Sequence, residues 1–161
     1  MNAEPGDAVE AIPPAEQLQE LLEEVVDALG LEARVDVAQA AGELRGSVEG
    51  EGVGLLIGRR GQTIDAVQHL AQRIVFQGGP GDIRITIDAD GYRARREATL
   101  QSEADEAADE ALRTDAPVEL EPMPASERRI VHEHLRERGD VETYSEGREP
   151  ERYLVVAPLS D

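Results

Sequence analysis

The 161-residue chain has no cysteine, no tryptophan and no lysine; all 16 of its basic residues are arginine. The missing cysteine removes disulfides and thiolate metal sites. One Phe and three Tyr are too few rings for a single-strand binder built on stacked aromatics, such as an RRM or an aromatic-rich OB-fold. The core must therefore be aliphatic. No apolar run is long enough to span a membrane, and the opening MNAEPGDAVEAIPPAE has neither the basic region nor the apolar stretch of a secretion signal. A soluble, cytoplasmic protein without membrane insertion is the expectation. With 40% apolar residues the chain can still bury a core, in one domain or two small ones.

Positive charge is scarce as well. A net charge of −19 argues against a polyanionic partner if it is spread evenly. It is not: residues 1–52 carry 13 acids and two Arg, residues 53–101 five acids and seven Arg, and residues 102–161 seventeen acids and seven Arg. The middle segment alone escapes strong acidity, and it contains Leu55-Leu56-Ile57 leading into Gly58-Arg59-Arg60-Gly61.

The glycine spacing by itself is weak, since about 1.4 G-x-x-G pairs arise by chance from this glycine content. A second pair, Gly78 to Gly81, has no basic residue or apolar lead-in and reads as a plain loop. A Walker loop is excluded by the absence of lysine, and a dinucleotide fingerprint begun at Gly52 meets Ile57 where its last glycine belongs. The setting of the first pair matters more. Ile64, Val67, Leu70, Ala71, Ile74 and Val75 form an apolar helical face, with Gln62, Asp65, Gln68, His69, Gln72 and Arg73 opposite. A helix thus begins just after Gly61. Its first-turn N–H groups and the positive end of its dipole favour an anion, the glycines allow close approach, and two guanidinium groups add charge. A glycine corner with two solvated arginines is the structural alternative.

Residues 1–15, rich in Pro, Gly and acids, read as a disordered acidic tail. From Glu16 the spacing of Leu18, Leu21, Leu22, Val25, Val26 and Leu29 predicts a helix closed by Gly30. Alternation over Glu32 to Val37 and through Leu44, Gly46 and Val48 predicts two strands, and Ile83, Ile85 and Ile87 a third. Tyr92 to Arg113 is a long helix by propensity, with a thin seam of Tyr92, Leu100, Ala104, Ala107, Ala111 and Leu112. Its basic start, Arg93, Arg95 and Arg96, could extend a nucleic-acid surface, although solvated charge explains most such residues. Beyond it lie a short strand at Val118 to Leu120, a helix over Ser126 to Arg138 with Ile130, Val131 and Leu135 inward, and strands at Val141 to Tyr144 and Tyr153 to Val156. On that helix Arg128 and His132 are four apart and share a face. His134 points elsewhere and is expected to be exposed.

The order helix, strand, strand, G-x-x-G helix pair, strand resembles the bacterial, type II KH domain (α-β-β-α-α-β), and Ile57-Gly58-Arg59-Arg60-Gly61-Gln62-Thr63-Ile64 is similar to its signature. The resemblance implies a turn that clamps a few nucleotides, with bases in an apolar groove flanked by Ile57 and Ile64, which also qualify as core residues. Glu127 to His132 is similar to the signature of the R-three-H domain, a small α+β single-strand-binding module in which Arg128 and His132 would contact nucleic acid. His132 packing against the small sheet is the alternative. Together with Glu142-Thr143-Tyr144-Ser145-Glu146-Gly147, the two modules resemble the Jag/KhpB (SpoIIIJ-associated) family of bacterial RNA-binding proteins. The separate N-terminal Jag domain of many members has no counterpart in this sequence, and Ser126 stands where members often have an aromatic residue.

The expected architecture is α+β, with a KH domain at 16–90 and an R-three-H domain at 91–161 that includes its leading helix. The implied function is single-stranded RNA binding, as a post-transcriptional regulator or RNA chaperone linked to cell elongation and envelope growth. The implied partners are RNA and a small KH-only protein of the KhpA kind, or a second copy through the KH domain. A single-stranded DNA binder, or a protein-interaction adaptor with the KH fold as scaffold, is the alternative. No catalytic constellation, metal-ligand cluster or cofactor motif is present in the sequence, so an enzyme is not expected.

Overall fold

The computed structural model describes residues 12–76 and 83–159. Most of the expected tail and the Gly78 to Gly81 loop lie outside these residues. Two compact units divide between Tyr92 and Arg93, two residues beyond the expected boundary, and the mixed helix and strand content is that of an α+β fold.

The first unit begins with helix α1, Pro14–Ala28, two residues before the expected start at Glu16. Proline suits that position because its φ is already helical and its missing N–H has no intrahelical acceptor there. Leu18, Leu22 and Val26 form the buried face, and Gly30 turns the chain out of the helix at φ +66°. Strands β1, Glu32–Ala40, and β2, Glu43–Glu51, make an antiparallel hairpin whose loop is Ala41-Gly42. Both loop residues have positive φ, 47° and 79°, which matches the twist of a two-residue hairpin. That turn lets β1 pair three residues beyond the expected end at Val37. Gly46 lies under α1, where an added Cβ would sit 2.5 Å from the Leu22 side chain. Its absence lets the helix settle on the sheet.

After β2 come a four-residue helix α2, Gly54–Ile57, a 3₁₀ turn, Arg59–Gly61, and helix α3, Gln62–Val75. Strand β3, Arg84–Ala89, then joins β2 in parallel and completes a sheet of order β1-β2-β3. Leu18, Leu22, Leu44, Val48, Leu56, Ile64, Ile85 and Ile87 fill the core. The expected apolar face of α3 divides: Ile64, Ala71 and Val75 are buried, whereas Leu70 is 56% and Ile74 41% exposed. Six apolar positions span a wider arc than the helix buries. The polar face is partly structural. Gln72 accepts from the Ile85 N–H at 3.0 Å and donates to the Ile83 carbonyl at 3.1 Å, and Gln68 accepts from the Ile87 N–H at 2.8 Å. These amides occupy the outward edge of β3, which would otherwise present unpaired donors to another strand.

Helix α4, Tyr92–Thr114, starts on the last residue of the first unit and leads the second. Its buried residues are Leu100, Ala104, Ala107, Ala108 and Ala111, while Leu112, expected in the seam, is 40% exposed. Strand β4, Val118–Glu119, helix α5, Ala125–Arg136, strand β5, Val141–Glu146, and strand β6, Tyr153–Pro158, follow. The sheet order is β4-β6-β5, with both pairings antiparallel. Met123, Val131, Leu135, Val141, Leu154 and Val156 meet the alanines of α4 in one core.

Charge is woven into this small core. Arg96 donates through Nε and Nη2 to both carboxylate oxygens of Glu127, each at 2.8 Å, with side chains 18% and 12% exposed. Arg96 therefore joins α4 to α5 instead of adding to a solvent-facing basic patch. Arg138 bonds Asp105, Asp109 and Asp140, and His134 meets Asp105 at 3.0 Å, half-buried where exposure was expected. The hydrogen bond with His134, and then Arg138, holds the Asp105 carboxyl below the ordinary range, and Arg138 does the same for Asp140.

A nearly buried, bidentate pair is costly to halve because the surviving charge keeps its desolvation without its partner. Glu127→Ala should lower stability by about 3 kcal/mol in urea denaturation, and Arg96→Met with Glu127→Leu should recover most of it; a loss below about 0.5 kcal/mol would contradict the role given to the pair. Depressed carboxylate pKa values stabilise the fold above the unfolded-state pKa, about 3.9 for Asp, and that contribution disappears as pH falls through the folded value. The melting temperature should thus fall on acidification below about pH 5, and Asp105→Asn with Asp140→Asn should flatten the fall. An equally steep profile in the double variant would contradict it.

Candidate nucleic-acid interface

The turn between α2 and α3 is forced into conformations that few residues adopt. Gly58 has φ 72° and ψ −175°, a region close to glycine-only. Arg60 (φ 52°, ψ 32°) and Gly61 (φ 78°, ψ 9°) are both left-handed. The glycines are also sterically required. A Cβ on Gly58 would lie 2.1 Å from Thr63 Oγ1 and 3.0 Å from the Thr63 amide nitrogen, and a Cβ on Gly61 would meet the Tyr92 ring and hydroxyl at 2.8 Å. Gly58 thereby leaves the first-turn amide of α3 approachable, and Tyr92 supports the turn beneath Gly61.

Amide donors are concentrated at this point. No side chain caps the α3 N-terminus, where Gly61 is the N-cap residue, so the first-turn N–H groups keep the positive end of the helix dipole open. Part of the turn is satisfied internally: the Gln62 N–H bonds the Arg59 carbonyl and the Gly58 N–H bonds the Gly54 carbonyl at 2.9 Å. Arg59, Arg60 and Gln62 are exposed, and the Arg59 guanidinium forms no hydrogen bond or ion pair with another described residue. Successive amides in a left-handed turn, with guanidinium groups beside them, form a concavity suited to a phosphate oxygen.

Of the two expected groove residues, Ile57 is half-buried and Ile64 is 0% exposed. Ile64 belongs to the core, because its position in the first turn of α3 points it at the sheet. Thr63 is half-buried against Gly58. The exposed apolar residue beside the turn is Leu55, at 64%. Its signal was the Leu55-Leu56-Ile57 run: a single helical turn that buries Leu56 must leave a neighbour outside.

In the second unit, α5 carries Arg128 and His132 on one face as their spacing predicts. Arg128 is only 11% exposed, donating through Nη1 to the Met123 carbonyl at 2.6 Å and through Nη2 to Glu149 at 2.5 Å. The bond from Arg128 holds the Glu149 carboxyl below its usual range. Glu149, which no spacing rule pairs with Arg128, thus fills one side of the guanidinium fork with the kind of oxygen that a phosphate would offer. His132 is exposed, with Nδ1 on the Thr143 hydroxyl of β5.

Comparisons with known proteins assign families to both units. The KhpA/KhpB KH domain model matches residues 15–87, and the R-three-H domain model matches residues 98–158. The chain is 37% identical over 152 residues to the RNA-binding protein KhpB of Bacillus subtilis, covering 92% of this chain and 73% of that protein. It is 37% identical over 140 residues to the KhpB of Clostridium symbiosum, spanning 86% of this chain and 63% of that protein. With the KhpB of Lactiplantibacillus plantarum it shares 41% over 133 residues, 83% of this chain and 41% of that protein. With a type II order of elements around the G-x-x-G turn, an Arg-x-x-x-His helix later in the chain, and both domain models matched in sequence, the chain belongs to the KhpB family of KH plus R-three-H proteins.

Proposed function

We propose that the protein binds single-stranded RNA, with the Gly58 to Gly61 turn gripping the phosphate backbone. The observation that carries this reading is the uncapped α3 N-terminus behind a turn whose glycines keep the Thr63 amide approachable, with Arg59 exposed beside it. Leu55, Ile57 and the aliphatic side of the turn offer the bases an apolar wall. The names of the KhpB relatives as RNA-binding proteins support RNA over DNA.

Arg128 and His132 form the second contact. In the free protein Glu149 occupies the Arg128 fork, and a phosphate replaces it on binding. Two weak sites on one chain raise the effective concentration of each for the same strand. Such a binder suits a cytoplasmic post-transcriptional regulator or RNA chaperone without catalysis; no helix among the described residues is long and apolar enough to cross a membrane. A role in elongation and envelope growth rests on the family resemblance. Leu70 and Ile74, exposed on α3, support association of the KH unit with a second copy or with a small KH-only protein.

Arg59→Asp with Arg60→Asp should abolish most RNA binding in fluorescence anisotropy and leave the circular dichroism melt nearly unchanged. In the unaltered protein log affinity should fall with log salt at about −0.7 per phosphate contact. Binding that survives the double change would remove the turn from the interface. Glu149→Gln keeps the side-chain shape but loses the competing charge, and should tighten RNA binding severalfold. Weaker or unchanged binding would mean that Arg128 serves only to hold Glu149 and Met123.

A further inference from the structure

The second unit contains a cleft that the Arg-x-x-x-His pair does not account for. It has a volume of about 310 Å³, within the range of small-molecule clefts. Its apolar lining is Val141, 6% exposed, and Leu159, 55% exposed, with the fully buried Leu135 behind them. His132, Arg136 and Glu142 stand at the rim.

Arg136 stands apart from the arginines of this unit that are tied to acids. Arg96, Arg113, Arg128, Arg129 and Arg138 each hold a carboxylate. The Arg136 guanidinium is exposed and makes neither a hydrogen bond nor an ion pair with another described residue. It follows His132 by four residues, as His132 follows Arg128, so the three lie along one face of α5 at intervals of about 6 Å. The Thr143 hydroxyl holds His132 by Nδ1, which fixes the ring at the mouth of the cleft.

The chemistry of the cleft differs from that of the Arg128 end. The carbonyl end of α5, with Glu133, Glu137 and Glu142 nearby, opposes a phosphate. An apolar lining with an imidazole and a guanidinium at the rim suits a flat, uncharged ring, since nucleobases stack on His rings and Arg planes. Resting on the single-strand-binding reading of this unit, we propose that the cleft is a nucleobase pocket, in which Arg136 and His132 stack a base against Leu159 and the exposed edge of Val141. The strand then runs along α5, with a phosphate at Arg128 and a base one to two turns further on.

The test uses the full chain, ¹⁵N-labelled, with two probes: the ribo-octamer rA8 and a tetrahydrofuran abasic octamer of equal length, which keeps the phosphates and lacks the bases. With rA8 the amide signals of Gly139 and Thr143, both lining the cleft, should shift, and the abasic strand should leave them almost unmoved. Leu159→Ser should weaken rA8 binding by about fivefold or more, the lower end of the worth of one stacked base, with abasic binding and the thermal melt preserved, and Arg136→Ala should weaken rA8 binding by a larger factor than it weakens abasic binding. If rA8 binds and moves the signals around Arg59 and Arg60 while Gly139 and Thr143 stay still and both variants bind normally, the pocket is refuted and the nucleic-acid reading stands. Equal shifts with the abasic strand also refute the pocket. If rA8 fails to bind at all, the underlying reading fails with it.

Discussion

Four residues, Gly58 to Gly61, must reverse the chain between a one-turn helix and a long one, and three of them do so at positive φ. Everything that makes the first unit a candidate binder depends on that constraint. The turn sets the start of α3, and the start of α3 decides that Ile64 enters the core and that the Thr63 amide lies behind a residue with no side chain. Tyr92, the last residue of the first unit, packs against Gly61 and closes the other side. A side chain at either glycine would have to move Thr63 or Tyr92, so the turn has little room to relax. The donors are thereby held in place before any ligand arrives, which reduces the ordering cost of binding.

Electrostatics explains how so acidic a chain can present a site for a polyanion. In the second unit several guanidinium groups are committed to carboxylates: Arg96 to Glu127, Arg138 to three aspartates, Arg128 to Glu149. These pairs hold the small unit together and remove the paired arginines from the surface field. Arg59 in the turn and Arg136 on α5 make no such pair with a described residue, and both stand beside features with a use for a strand: open amides in one case, an apolar cleft in the other. Local arrangement thus outweighs the net charge of −19.

Much of this was legible in the residues and some could not have been. The order of elements followed from periodicity, and the left-handed turn from its glycines, because both are local. Partnerships across the fold were not local. Gln68 and Gln72 have the spacing of a solvated face, and the outward N–H groups of β3 that they bond are set by the fold. Arg96 and Glu127 are 31 positions apart; nothing along the chain pairs them. The Arg128 and His132 spacing was visible, yet Glu149 in the Arg128 fork and the cleft beside His132 depend on how β5 and the turn after it fold back on α5. Leu70 and Ile74 fit the apolar pattern of α3 and still face solvent, because periodicity identifies a helix better than it measures the width of its buried face.

The central claim is that the turn grips the strand. Ultraviolet crosslinking of the full chain to a uridine-containing single-stranded RNA, followed by mass spectrometry of the crosslinked peptides, tests it most directly. The account predicts crosslinks concentrated in the peptide that contains Gly58 to Thr63, with a second group on α5 around His132. Crosslinks confined to other surfaces, with the turn peptide unmodified, would contradict it.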